Sequence, residues 1–269
     1  MSKRKFISYV VLVVLGIIFI VPFIIMVTAS FKDMQAGLLD PISLIPTDPS
    51  VVNFNFIFSQ GLFFRWILNS FIITVIPVLS QMLLCAVMGY IFAKKQFWGK
   101  EIIFWSMMVF IMLPQQLLVI PKYIMFSDFG WINTYWALIV PELWGILGVF
   151  LVRQFFQTIF DDYEEAAYMD GGNDFQIFFK IMIPMAFPVI ATVGTFTFIQ
   201  LWNDLFQPLV YMTEEVMFPI TVGLASLLTE QGDFGVDMAG AVISFIPTFL
   251  VFLFFQRYFT EGIQMSGLK

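Results

Sequence analysis

Six long apolar runs leave this chain few ways to fold. They cover residues 6–29, 66–93, 102–126, 131–156, 184–212 and 238–259. A helix needs about 20 such residues to cross the hydrocarbon core of a bilayer, so each run is long enough to span with some tilt. Composition agrees: 60% of the 269 residues are hydrophobic and 12% charged, with a mean hydropathy of +0.90. Soluble domains carry about 25% charged residues, because a large share of their surface must face water. The expectation is an all-α, polytopic membrane protein with six transmembrane helices, forming a single domain over 1–269.

The first run follows Lys3, Arg4 and Lys5. It exceeds the apolar core of a signal peptide and no small-residue cleavage site follows, so it reads as a retained helix. Basic residues set the orientation, since cytoplasmic loops retain Lys and Arg. Lys94, Lys95 and Lys100 lie between the second and third runs, Arg153 and Lys180 between the fourth and fifth, and Arg257 and Lys269 at the C-terminus. The other side holds Lys32, Arg65 and Lys122. Both termini are therefore expected in the cytoplasm. The connections 32–64 and 213–237 read as external loops, the second with five acidic residues and no basic one.

A net charge of -6 argues against nucleic-acid binding. The lone cysteine, Cys85, lies in an apolar run and reads as packing; with no histidine beside it, a soft-metal site is not expected. No phosphate loop is present: Gly99-Lys100 is followed by Glu101 and lacks the first glycine. The chain is not expected to hydrolyse ATP or to bind a cofactor. An intramembrane enzyme also lacks support, with no Gly-x-Ser-x-Gly element or metal cluster in the sequence.

Polar residues inside the runs are costly against lipid and mark a bundle interior or a watery path. Gln200, Asn203, Asp204 and Gln207 follow i, i+3, i+4, i+7 spacing and are expected on one face of the fifth helix. That face either lines a path or ties helices together. Glu142 follows Pro141, and Lys122 follows Pro121; an ion pair between them would make both structural. Gln115 and Gln116 follow Pro114 as further path candidates. Prolines at 22, 77, 114, 121, 141 and 247 either are absorbed by neighbouring helices or break helices along a path.

The connection 160–184 is the most informative stretch. Asp162 with Glu165 three residues on has capping-box spacing, and a run of helix formers ends at Gly171-Gly172. A second helical stretch from Asn173 places Phe175, Phe178, Phe179 and Met182 on one side before Pro184. The result is a helix, glycine turn, helix device that can rest at the interface or dock into a partner.

Glu165-Ala166-Ala167, then Gly171, Ile181 and Ile183-Pro184, resembles the EAA signature of binding-protein-dependent ABC importer permeases, with Ile183 where that family usually has Leu. Asn69-Ser70, Leu113-Pro114-Gln115, Phe129-Gly130, Asn133-Thr134, Trp202-Asn203-Asp204, Met238-Ala239-Gly240 and Phe255-Gln256-Arg257-Tyr258-Phe259 are similar to the carbohydrate branch, in particular its smaller, second maltose-permease-type subunit. The resemblance implies a type I ABC importer permease fold in a bacterial or archaeal plasma membrane. It also implies a heterodimer with a second homologous permease subunit, two ATPase subunits that use ATP and Mg, an extracellular or periplasmic solute-binding protein, and an oligosaccharide substrate. The ATPase-coupling residues it implies are Glu164, Glu165, Ala166, Ala167, Asp170, Gly171 and Gly172. A secondary transporter or channel for a small polar solute would share the six spans and buried polar groups, but not the signature.

Overall fold

The computed structural model describes residues 3–32, 48–231 and 233–266. Residues 33–47 of the expected external stretch at 32–64, and Lys269 of the orientation argument, lie outside the described residues. Those described are helical, with no strand among them. The helices are α1 (Lys3–Ser30), α2 (Val52–Ser59), α3 (Phe63–Lys94), α4 (Lys100–Ile111), α5 (Val119–Asp128), α6 (Trp136–Ile139), α7 (Ile146–Phe156), α8 (Asp162–Met169), α9 (Asp174–Ile177), α10 (Ile183–Trp202), α11 (Phe206–Tyr211), α12 (Ile220–Gln231) and α13 (Phe234–Ser266).

Five helical segments are long and apolar enough to cross a membrane, and six if one bent pair counts as a span. The bent pair is the third expected span. Its two parts, Lys100–Ile111 and Gln115–Asp128, meet at 93°. Pro114 is the cause: it sits at φ -59, ψ 123, outside the helical region, and biases the residue before it away from helix as well. A 3₁₀ turn at Gln115–Leu118 restarts the chain.

The fourth span is interrupted too, by a 3₁₀ turn at Val140–Glu142 ahead of α7. Backbone carbonyls freed inside a membrane need donors. Here α3 supplies them: Gln81 donates to the Glu142 carbonyl at 2.9 Å, Ser80 to that of Leu143 at 2.8 Å, and Cys85 to that of Gly145 at 3.4 Å. Pro141 is thus absorbed by a neighbouring helix. Pro121 falls in the first turn of α5, where an N–H has no intrahelical partner. Pro22, Pro77 and Pro247 lie within continuous helices.

The fifth span differs from the sequence expectation at both ends. Helix starts at Asp174, ten residues before Pro184, and stops at Trp202; Phe206–Tyr211 is a separate helix. A π turn at Phe178–Met182 joins α9 to α10, with the Ile183 N–H bonding the Phe178 carbonyl. Pro184 cannot donate the next bond, so the wider turn lets the helix run through it.

The centre of the bundle is α3, packed on α7, α10 and α12. Its buried residues Trp66, Ser70, Ile73, Pro77, Gln81 and Cys85 recur at three- and four-residue intervals along one stripe. Close approach depends on small residues, since lipid offers no hydrophobic drive for helix association. A Cβ at Gly148 would lie 2.7 Å from Cys85 Sγ, and one at Gly194 would lie 2.6 Å from Met82 Sδ. At the periphery α1 rests on α13, including Phe23 against Phe245 at 5.2 Å, and exposes most of its apolar surface.

Candidate functional site: the 160–184 hairpin and an intramembrane polar cavity

The hairpin forms as the motif suggests, but with different caps. Asp161, not Asp162, is the N-cap of α8 and makes no side-chain cap bond. The capping box lies in the second limb, where Asn173 Oδ1 accepts from the Gln176 N–H at 2.9 Å and Gln176 Oε1 accepts from the Asn173 N–H at 3.3 Å. Asp162, Glu164 and Glu165 instead place negative charge at the positive end of α8. Its other end closes in a Schellman turn: Gly172 N–H bonds Ala167 O at 2.9 Å and Gly171 N–H bonds Tyr168 O at 3.0 Å. Gly171 has φ +83, the left-handed region, and a Cβ on Gly172 would come within 2.9 Å of Ala167 O.

Glu165, Ala166, Asp170 and Gly171 face outward from the hairpin. Ala166, Ala167, Asp170 and Ile181 line an open cleft of about 470 Å³ together with Phe160, Asp162 and Tyr163. Phe160 is 74% exposed and Met169 89%, so the hairpin presents large apolar side chains beside the cleft. In the second limb, Phe178 and Met182 are buried while Phe175 and Phe179 are exposed; the π turn divides the face that sequence spacing placed together.

Glu164 departs from the sequence expectation of an outward coupling surface. It is 8% exposed and accepts a hydrogen bond from Tyr90 of α3. Successive helical residues point about 100° apart, so Glu164 turns inward where Glu165 turns out. Lys95, at the end of α3, lies 3.8 Å from Glu164, 2.6 Å from Asp174 and 3.1 Å from the Tyr168 hydroxyl. It therefore holds both limbs of the hairpin. Burial pulls the Lys95 ammonium down, but hydrogen bonds to Asp174, Tyr168 and Tyr90 outweigh it and hold it above the ordinary lysine value. Lys94 adds an ion pair to Asp161 at 2.5 Å. The sequence marks Lys94 and Lys95 only as basic residues of an expected cytoplasmic connection and does not single out Tyr90.

Between the helices, Gln115, Gln116, Lys122, Gln200, Asp204 and Gln207 line a cavity of about 220 Å³ with Val119, Phe206 and Tyr211. Glu142 lines an adjoining small cavity that shares Asp204 and Gln207. Elements distant in sequence thus bring five of the six path candidates together. Asn203 is the exception: it donates to Ile199 O at 2.7 Å and to Thr248 Oγ1 of α13 at 3.3 Å. Helical spacing fails there because α10 ends at Trp202. Asp204 restarts the chain, its Oδ1 accepting from the Phe206 N–H at 3.0 Å and the Gln207 N–H at 3.4 Å.

No ion pair within 4.0 Å joins Glu142 to Lys122 among the described residues; Lys122 Nζ reaches Gln115 Oε1 at 3.4 Å instead. Sequence reading missed Tyr211, whose fully buried ring lines the cavity and whose hydroxyl has no hydrogen-bond partner among the described residues.

The family described as binding-protein-dependent transport system inner membrane component matches residues 85–264. The arabinooligosaccharides transport system permease protein AraQ of Halalkalibacterium halodurans is 32% identical over 95% of this chain and 93% of its own length. The polygalacturonan/rhamnogalacturonan transport system permease protein YtcP of Bacillus subtilis is 30% identical over 100% of both. The diacetylchitobiose uptake system permease protein NgcG of Streptomyces coelicolor is 32% identical over 100% of this chain and 91% of its own. A chain of a bacterial ABC transporter involved in import of the acidic polysaccharide alginate superposes with a TM-score of 0.81 at 24% identity, covering 96% of this chain and 99% of that one, which establishes a shared fold. The chain therefore belongs to the family of binding-protein-dependent transport system inner membrane components.

Proposed function

We propose that this chain is one of two permease subunits in an ATP-binding-cassette importer that carries a neutral oligosaccharide inward across a bacterial or archaeal plasma membrane. The carrying observation is the hairpin. Of its EAA residues, Ala166 and Ala167 line an outward cleft flanked by exposed apolar side chains and Glu165 is exposed beside them, while its charged back is pinned to the bundle. That is the form needed by a contact that receives motion from a separate subunit. In this reading the termini and hairpin are cytoplasmic, and two ATPase subunits dock at Glu165, Ala166, Ala167, Asp170, Gly171 and Gly172. They bind ATP and Mg and perform the hydrolysis. Residues 1–269 act as one membrane domain, with 160–184 as its coupling loop. A second, homologous permease and lipid cover the exposed faces of α1, α4 and α5.

Gln115, Gln116, Gln200, Gln207 and Tyr211 would line this subunit's share of the path, with Glu142 and Asp204 beside them. Side-chain amides both donate and accept, which suits sugar hydroxyls. Two relatives are named for arabinooligosaccharide and diacetylchitobiose uptake, but YtcP is named for polygalacturonan and this chain superposes on one from an alginate importer, so uronate chains need separate consideration. The charge pattern disfavours them: the outward segments have only Lys32, Arg65 and Lys122 as basic residues against a large excess of acids. A polyanion would meet repulsion at the mouth and in the path. A solute-binding protein presents the sugar from outside; the name of a related solved complex includes an alginate pentasaccharide-bound periplasmic protein.

Co-purification with mass spectrometry, followed by uptake in proteoliposomes, tests the reading. A second permease, two ATPases and a binding protein carrying a neutral oligosaccharide are expected. ATP-independent uptake by the chain alone would return it to the secondary-transporter class.

A further inference from the structure

Polar side chains at the two ends of α3 connect it to the two segments a transport cycle must move together. At one end, Tyr90 donates to Glu164, Lys95 bridges Glu164 and Asp174, and Lys94 pairs with Asp161. Both limbs of the hairpin are held there. The Tyr90 ring also packs on Phe156 at 5.6 Å and Phe178 at 5.0 Å. At the other end, Trp66 Nε1 donates to Glu215 O at 2.8 Å, and Asn69 Nδ2 to Val216 O at 2.9 Å and Phe218 O at 2.8 Å. Ser70 Oγ accepts from the Ile220 N–H at 2.8 Å. Asn69 and Ser70 are buried, so these bonds lack competition from water. Four hydrogen bonds thus fasten the segment 215–220, from the 3₁₀ turn to the start of α12, to α3. Between the two ends lies one unbroken helix of 32 residues, about 48 Å at 1.5 Å per residue.

The covalent route from the hairpin is different. It passes through a π turn and Pro184 before α10 begins, and α10 stops at Trp202. Both routes lose a backbone bond at a proline, Pro77 in α3 and Pro184 here; the π turn and the end of α10 at Trp202 make this route the more compliant one.

We propose that α3 is the transmission rod of the importer, carrying displacement between the ATPase-facing hairpin and the outward segment 214–220, with Tyr90 and Asn69 as positioning residues at its two ends. This rests on the importer reading, and the wild-type complex tests that reading separately: hydrolysis stimulated by the loaded binding protein must be seen before variants are compared. Tyr90→Phe keeps the ring packing and removes only the hydroxyl. Asn69→Leu removes two of the outer hydrogen bonds and leaves that of Trp66, and Ser70→Ala serves at that end if the Leu variant does not assemble. The purified importer in proteoliposomes is measured for binding-protein-stimulated hydrolysis and for ATP consumed per sugar moved.

Each single variant is expected to raise ATP consumed per sugar by roughly three- to tenfold, the scale of losing one or two buried hydrogen bonds. In series along one rod, the double variant should be no worse than the more damaging single one. Independent effects that multiply, or unchanged ATP per sugar in both assembled single variants, would overturn the proposal. A merely structural role would lower complex recovery and leave the ratio where it was.

Discussion

Gly171 and Gly172 serve the same turn for different reasons. Gly171 has open space around its Cα but φ +83, whereas Gly172 is confined by the Ala167 carbonyl. Gly171→Val should therefore cost about 1–2 kcal/mol from backbone strain alone, distorting the turn while leaving every span intact. Asn in its place, which tolerates the left-handed region, should be much milder. Uptake and complex recovery measured together check this: lost uptake in an assembled complex is expected for Val, and normal uptake would remove the turn from the coupling assignment. Glu165→Lys places a cation at the positive end of α8 on an outward face. It should weaken ATPase docking, read as loss of the ATPase subunits on gradient purification.

At the scale of elements, the end of α10 separates two neighbouring residues that the sequence puts on one face. Asp204→Leu removes the acceptor that starts α11 and a polar wall of the cavity. Uptake should fall while the complex assembles. Asn203→Leu should act instead on the α10–α13 contact through Thr248, reducing recovery of the complex with little change in uptake per assembled importer. The reverse pattern would reassign the two. The clamp on the hairpin carries a pH expectation. Lys95 has a folded-state pKa raised above its unfolded one, so its contribution is fully present below the unfolded value of about 10.4 and is lost only as pH rises through the folded value. Amide exchange of 161–177, corrected for intrinsic rate, should therefore show flat protection from about pH 6 to 9 and should rise in Lys95→Met. A protection step near neutral pH in the native protein would contradict the clamp.

For the whole molecule, the decisive question is which end of α3 faces the cytoplasm. Cysteines at Lys95 or Gly172 should be shielded from an impermeant thiol reagent applied outside intact cells, and one at Asp48 should react. The native Cys85 is fully buried and gives a quiet background. Labelling at Gly172 from outside would invert the topology and end the coupling assignment. The charge argument is testable at the same scale. Neutral oligosaccharides should stimulate hydrolysis and enter proteoliposomes, whereas oligouronates of similar length should not; equal uptake of both would refute the preference for neutral sugars.

Sequence alone determined what local chemistry controls. Apolar runs as long as a bilayer is thick become helical segments, the Gly171-Gly172 pair turns, and the EAA string carries a family resemblance on its own. It could not determine where helices break inside the membrane. Pro114 ends a helix whereas Pro77, Pro22 and Pro247 do not. That outcome depends on which neighbours can take the freed carbonyls, as Gln81, Ser80 and Cys85 do for the fourth span. Nor could it foresee that Glu164 turns to Tyr90, that Lys95 holds both limbs of the hairpin, or that Asn203 leaves the face shared by Gln200, Asp204 and Gln207. Those partners lie 45 to 79 residues apart in the chain, and hydrogen bonding at such separations is decided by packing.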